Sequence, residues 1–132
     1  MTNLLKIPTW ADEENVHAIV ETPRGSTCKL DFDPKLRVFT LAKPLMAGLT
    51  YPYDWGFIPS TKAQDGDPLD VLVIHDAQTY PGVVLRCRPV GILEVEQTSP
   101  SVGLFTQQYK RPAIPRDTQA HPHRQRSSWF VA

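Results

Sequence analysis

Thirteen of the 132 residues are proline. Each fixes φ at about −65° and removes a backbone donor, so proline breaks helix interiors and costs a ladder bond in a central strand. At this density long helices are excluded, and short strands joined by turns remain. The apolar pattern agrees. Residues 16–22 read as a strand, ended by the turn Pro23-Arg24-Gly25-Ser26. Residues 29–33 alternate polar and apolar like a half-buried strand, and Asp33-Pro34-Lys35 turns them into a second alternating stretch at 36–41, so the two read as a hairpin. The aromatic and proline-rich residues 51–59 read as an irregular extended segment. Residues 69–74 form a nearly continuous apolar strand, and 83–88 with 90–96 read as one long strand bent at Pro89-Val90-Gly91. Many short strands with Gly/Pro turns imply a sandwich or a small barrel.

Length and an ordinary composition, 41% hydrophobic and 21% charged, fit one globular domain. The formal net charge of zero gives no electrostatic argument for nucleic acid or membrane as a partner. No apolar run approaches the roughly 20 residues of a membrane span. Cys28 and Cys87 are too few for a disulfide scaffold and read as thiols in a reducing cytoplasm. The zero charge hides an asymmetry. Up to Gln97 there are 13 acidic and nine basic residues, whereas from Thr98 onward Asp117 stands alone against five lysines and arginines. Apolar patterning stops at the same point. The expected organisation is therefore a β-barrel domain at 1–97 and a divergent basic tail at 98–132, too polar to offset its ordering entropy and so largely disordered.

The chemistry concentrates in Asp65-Gly66-Asp67-Pro68-Leu69-Asp70. Three carboxylates in six residues repel one another unless a cation bridges them, and all-oxygen donors suit a hard ion such as Mg²⁺. The apolar run that follows mounts the cluster at the start of a strand. Taken alone, the same tetrapeptide Asp-Gly-Asp-Pro is also an ordinary turn in a solvated loop.

With its flanks, the cluster resembles the aspartate signature of the family I soluble inorganic pyrophosphatases. Tyr51-Pro52 and Gly56-Phe57-Ile58-Pro59 upstream, and Pro81-Gly82-Val83-Val84 and Arg86-Cys87-Arg88-Pro89-Val90-Gly91 downstream, carry the same resemblance in the same order. It runs from near Glu21 to near Gln97. The resemblance implies an OB-like small β-barrel of short antiparallel strands, mainly β or α+β, and a cytoplasmic Mg²⁺-dependent hydrolase that splits pyrophosphate into two phosphates, with Mn²⁺ as the alternative ion. It implies Asp65 and Asp70 as metal ligands, Glu21 as an outer carboxylate near the metals, and Asp67 as the group that takes the nucleophile's proton. Lys29 and Lys43 would hold phosphate oxygens, with Tyr51 and Trp55 beside them. His17 and His75 read as strand-edge histidines outside the site.

The chain departs from the family pattern at Asp31, usually glutamate, at Lys43, usually arginine, and at Trp55, usually tyrosine. A larger departure follows Gln97. There the family carries a second aspartate cluster, and later a helix with a Tyr-Lys pair, whereas Gln97-Thr98-Ser99-Pro100-Ser101-Val102-Gly103-Leu104 contains no carboxylate. Tyr109-Lys110 comes too early to be that pair. The expectation is a member truncated or frame-shifted after about residue 97, its barrel incomplete at the C-terminal end and its activity weak or lost. The missing strand would leave an unpaired edge that invites a homo-oligomer. The competing expectation is a non-catalytic OB-type module that binds phosphate or single-stranded nucleic acid through Tyr51, Tyr53 and Trp55 beside Lys29 and Lys43.

Overall fold

The computed structural model of the chain describes residues 2–97, 103–104 and 126–131, with side chains described for 2–93. A 3-10 turn, Leu4–Lys6, precedes nine strands: β1 Val16–Thr22, β2 Cys28–Asp33, β3 Val38–Pro44, β4 Asp54–Ile58, β5 Leu69–Val73, β6 Val84–Cys87, β7 Gly91–Gln97, β8 Gly103–Leu104 and β9 Arg126–Val131. No α-helix occurs among the described residues. Seven strands form one sheet in the order β6-β1-β4-β5-β9-β7-β8, and β2 and β3 form a separate hairpin. Every pairing is antiparallel except that of β5 with β9.

The connection from β6 to β7 forces the sheet to curl. Five strand steps separate the two in the sheet order, a span of about 24 Å if the sheet were flat. Only residues 88–90 lie between them, and the four Cα steps from Cys87 to Gly91 reach roughly 15 Å at most. The sheet therefore bends its two ends toward each other, as a barrel does, but no ladder joins them. Among the described residues the outer edges of β6 and β8 have no strand partner. The mainly β, OB-like expectation holds, with the barrel left open.

Inside the curl, Val16, Ala18, Ile58, Val71, Val73 and Cys87 form the core, with Trp10, Leu69, Leu85 and Ile92 packed against it. β1 and β5 follow their apolar pattern closely. The hairpin of β2 and β3 is also as expected. Its turn is fixed by Asp33, whose Oδ1 accepts the N–H groups of Lys35 at 2.8 Å and Leu36 at 2.9 Å.

Two readings change. The segment expected to be irregular contains β4, a central strand paired with β1 on one side and β5 on the other. Its glycine weakens the sequence signal for a strand but is required by the packing. A Cβ on Gly56 would lie 1.9 Å from the Ile19 carbonyl oxygen, so only glycine lets the two backbones approach. The expected long bent strand is two strands, β6 on β1 and β7 on β9. In the basic tail, the expectation of disorder falls mostly outside the described residues, as does Tyr109-Lys110. The parts that are described, β8 and β9, are strands paired with β7.

Candidate active site

Glu21 stands in a β-bulge. Opposite β4, Val20 pairs with Gly56 and Thr22 with Trp55, which leaves Glu21 as the extra residue. A bulge re-aims a side chain that a regular strand would turn elsewhere. Here the carboxylate meets β2, where Oε2 accepts the Phe32 N–H at 2.7 Å. The neighbouring Thr22, 2% exposed, completes the join. Its hydroxyl donates to the Leu30 carbonyl at 2.8 Å and accepts the Leu30 N–H at 3.0 Å. Two side chains of β1 thus dock the hairpin beside the sheet without a β-ladder, and a cleft opens where the two meet.

One lobe of the cleft, about 380 Å³, is lined by Glu21, Lys29, Asp31, Asp65, Asp67 and Asp70, with Leu5, Phe32, Pro34, Phe57 and Pro68 as its apolar wall. A second lobe, about 410 Å³, is lined by Lys43, Tyr51 and Trp55, and again by Glu21, Lys29, Asp31 and Asp70. The four shared residues make the lobes neighbours. All eight residues expected at the site (Glu21, Lys29, Lys43, Tyr51, Trp55, Asp65, Asp67 and Asp70) line one lobe or both.

Burial foremost, reinforced by neighbouring carboxylates, perturbs Glu21. Burial pushes its carboxyl up to about 7, and the charges of Asp31 and Asp70 act in the same direction, against the Phe32 N–H and Lys29. Lys29 makes an ion pair with Asp31 at 3.7 Å. Burial also raises the Tyr51 phenol above its ordinary value, so its proton stays available for donation at neutral pH. The Tyr51 ring packs edge-on against Trp55 with centroids 5.8 Å apart.

The acidic loop between β4 and β5 is braced internally. Asp67 N–H donates to Asp65 Oδ1 at 3.0 Å, Ala63 N–H to the Asp67 carbonyl at 2.6 Å, and Gly66 N–H to the Ala63 carbonyl at 3.0 Å. Gly66 has φ +89°, a left-handed turn position that favours glycine. Ser60, itself at φ 55°, ties the loop's start to the N-terminal segment. Its N–H donates to the Leu5 carbonyl at 3.0 Å and its hydroxyl to the Ile7 carbonyl at 2.8 Å, which sets Leu5 in the cleft wall.

Among the described residues no three side chains of the ligating kinds stand together closely enough to hold a metal ion. The donor set still fits Mg²⁺, which is usually held by one or two carboxylates, with waters and substrate phosphate oxygens completing its shell. The cleft offers carboxylate oxygens from Glu21, Asp65, Asp67 and Asp70 to a cation, and Lys29 and Lys43 to an anion.

Sequence reasoning passed over Asp31 and Leu5 as site residues. Asp31 was legible in principle, because it follows Lys29 at a spacing of two on β2 and so shares its face. Leu5 had no signal, since its place depends on a bond to Ser60, far along the chain. The two histidines do lie outside the cleft lining. His17 Nδ1 is 2.6 Å from the Pro8 carbonyl, and His75 Nε2 bonds the buried Asp54.

Known proteins resemble this chain in sequence and in fold. The sequence model of the family described as inorganic pyrophosphatase covers residues 18–103. The inorganic pyrophosphatase of Synechocystis is 44% identical over 93 residues, covering 70% of this chain and 55% of the relative. That of Thermus thermophilus is 46% identical over 97 residues, covering 73% and 55%. The crystal structure of inorganic pyrophosphatase from Thermus thermophilus superposes with a TM-score of 0.70 at 35% identity, covering 98% of this chain and 62% of that one. A curled, open β-sheet with a docked hairpin and a carboxylate-rich cleft between them is the architecture in which this likeness falls. The chain belongs to the inorganic pyrophosphatase family. It spans about half the length of the curated relatives it matches. No helix among the described residues is long and apolar enough to cross a membrane.

Proposed function

We propose that the cleft binds pyrophosphate together with Mg²⁺ and hydrolyses it to two phosphates, at a rate lowered by the absence of a second aspartate cluster after Gln97. The observation that carries this reading is the sharing of Glu21, Lys29, Asp31 and Asp70 between the two lobes. A substrate spanning both would meet carboxylates and lysines at once. Bare pyrophosphate is repelled by such a wall, whereas a metal complex of pyrophosphate presents cationic and anionic faces to match it.

In this reading Asp65 and Asp70 hold the ion and Glu21 lies outside them. When bound, the ion neutralises charge on the phosphates and acidifies a coordinated water. The chain's own residues do the rest. Asp67 accepts the proton of the attacking water. Lys29 and Lys43 hold phosphate oxygens as point charges, since lysine lacks the bidentate fork of arginine. Tyr51 donates from the wall of the second lobe, and Trp55 closes that wall. A metal-free nucleic-acid binder is disfavoured, because Glu21, Asp31 and Asp70 line the same lobe as both lysines. The two free cysteines fit a cytoplasmic enzyme.

The test is phosphate release from pyrophosphate with and without Mg²⁺, on the full chain and on Asp67→Asn. Release that requires Mg²⁺ and is lost in the variant supports the proposal. Absence of release from the unsubstituted chain would leave family membership and remove the activity.

A further inference from the structure

We infer that Thr61 is a positioning residue for the acidic loop, its hydroxyl fixing where Asp67 and Asp70 stand across the cleft from Glu21. The inference rests on the reading of the cleft as a metal-dependent pyrophosphatase site. β4 ends at Ile58 and β5 begins at Leu69, and the two residues are partners in register. The chain between them leaves the sheet, forms the acidic loop and returns. Thr61 sits inside that excursion and holds both of its ends. Its Oγ1 donates to the Ile58 carbonyl at 2.6 Å and accepts the Leu69 N–H at 2.9 Å. A hydroxyl has one donor and two acceptor positions, so one side chain satisfies both groups.

The placement of the second bond gives it leverage. Pro68 has no N–H, so Leu69 supplies the first backbone donor after the aspartates of the loop. Asp70 follows it directly, and Asp67 lies two residues before it. The bonds within the loop, from Ala63, Gly66 and Asp67, shape it internally, whereas Thr61 joins it to both strands. Without the hydroxyl the loop keeps its own turn but loses its height above the sheet. Mg²⁺ demands near-ideal octahedral geometry, so a small displacement of Asp70 is felt in ion binding before it is felt in folding.

The test is Mg²⁺ binding to the full chain by titration calorimetry, with backbone amide exchange at Leu69 and Asp70 as a second readout. Thr61→Val removes the hydroxyl and keeps the shape. It is expected to weaken Mg²⁺ binding roughly tenfold, the scale of losses when a group supporting a metal ligand is removed, and to speed exchange at Leu69. Thr61→Ser keeps the hydroxyl and is expected to bind Mg²⁺ as the unsubstituted chain does. A Thr61→Val chain that melts earlier but binds Mg²⁺ unchanged while folded would show a merely structural role and overturn the inference. Equal weakening in Thr61→Ser would overturn it as well, and that arm stands even if the valine variant does not fold. If the unsubstituted chain binds no Mg²⁺, the reading of the site falls and this inference with it. Unsubstituted binding with an indifferent Thr61→Val removes the positioning role alone.

Discussion

Lys29 and Lys43 stand directly opposite each other in the β2–β3 hairpin, two cations on one face of a two-stranded ribbon. A register shift follows immediately, between Lys29 and Leu30, and both lysines line the second lobe of the cleft. Like charges in this relation oppose folding by a few tenths of a kcal/mol to about 1 kcal/mol. The Lys29–Asp31 pair offsets little, since both side chains are more than 40% exposed. An anion between the lysines would turn the repulsion into a binding site.

Lys43→Gln is therefore expected to act in opposite directions on two measurements. Without ligand the variant melts at the same temperature as the parent or slightly above it. Its affinity for pyrophosphate with Mg²⁺ falls roughly tenfold, the equivalent of one charge-assisted hydrogen bond. Thermal melts and a binding titration on the same two proteins check this. Lower stability with unchanged affinity would make Lys43 a surface lysine with no part in the site.

Glu21 gives a pH dependence whose sign follows from its raised carboxyl. In the folded chain it holds its proton up to about 7, against 4.5 for the ordinary group. Between those values the folded state binds more protons than the unfolded one, so stability falls as pH rises through that window. Glu21→Gln keeps an oxygen for the Phe32 N–H and removes the titration. In chelator, the parent is expected to lose melting temperature from about pH 5 to about pH 8 more steeply than the variant. Parallel curves for the two proteins would rule out Glu21 as the source.

Asp54 behaves in the opposite sense. It is 1% exposed and accepts the Arg24 N–H at 2.7 Å, the Thr79 hydroxyl at 2.7 Å and His75 Nε2. Burial pushes its carboxyl up, but these hydrogen bonds and the His75 charge outweigh burial and leave it below the ordinary value. Its stabilisation is present above the unfolded value of 3.8 and is lost as pH falls through the lower folded one. Asp54→Asn is expected to cost about 2–3 kcal/mol at neutral pH, read by urea unfolding, with the gap closing in acid. A neutral-pH loss within about 0.5 kcal/mol, the range of ordinary surface substitutions, would contradict the assignment.

Local signals carried most of what could be read from the sequence. β1 and β5 were visible because their apolar runs adjoin Gly/Pro turns, at 23–25 after β1 and at 66–68 before β5. The acidic loop was visible because its carboxylates are adjacent in the chain. Lys29 and Lys43 carry no local signal of a catalytic site and were reached through family resemblance, whereas Tyr51 stands in an aromatic segment that is conspicuous by itself. The bulge at Glu21, the separation of β6 from β7, and the place of Leu5 in the cleft wall are products of long-range pairing, which no window of sequence contains. β4 is the clearest case. Pro52, Gly56 and Pro59 argue locally against a central strand, and tertiary packing overrides them.

That override makes Gly56 the sharpest test of the fold. A Cβ there would lie 1.9 Å from the Ile19 carbonyl oxygen, 2.8 Å from the Ile19 carbonyl carbon and 3.1 Å from Val20 Cα. All three are backbone atoms of β1, so no side-chain rotation relieves the contact, and β1 and β4 must part. The parting would occur beside the bulge that aims Glu21, and Gly56 itself lines the second lobe. Gly56→Ala is expected to cost at least about 3 kcal/mol, the upper range for overpacked cores, and to weaken pyrophosphate binding in whatever fraction stays folded. Urea unfolding followed by circular dichroism measures the first effect, and a binding titration on the folded fraction measures the second. An alanine variant as stable as the parent would mean that β1 and β4 do not approach as closely as described, and the placement of Glu21 above the cleft would fall with that approach.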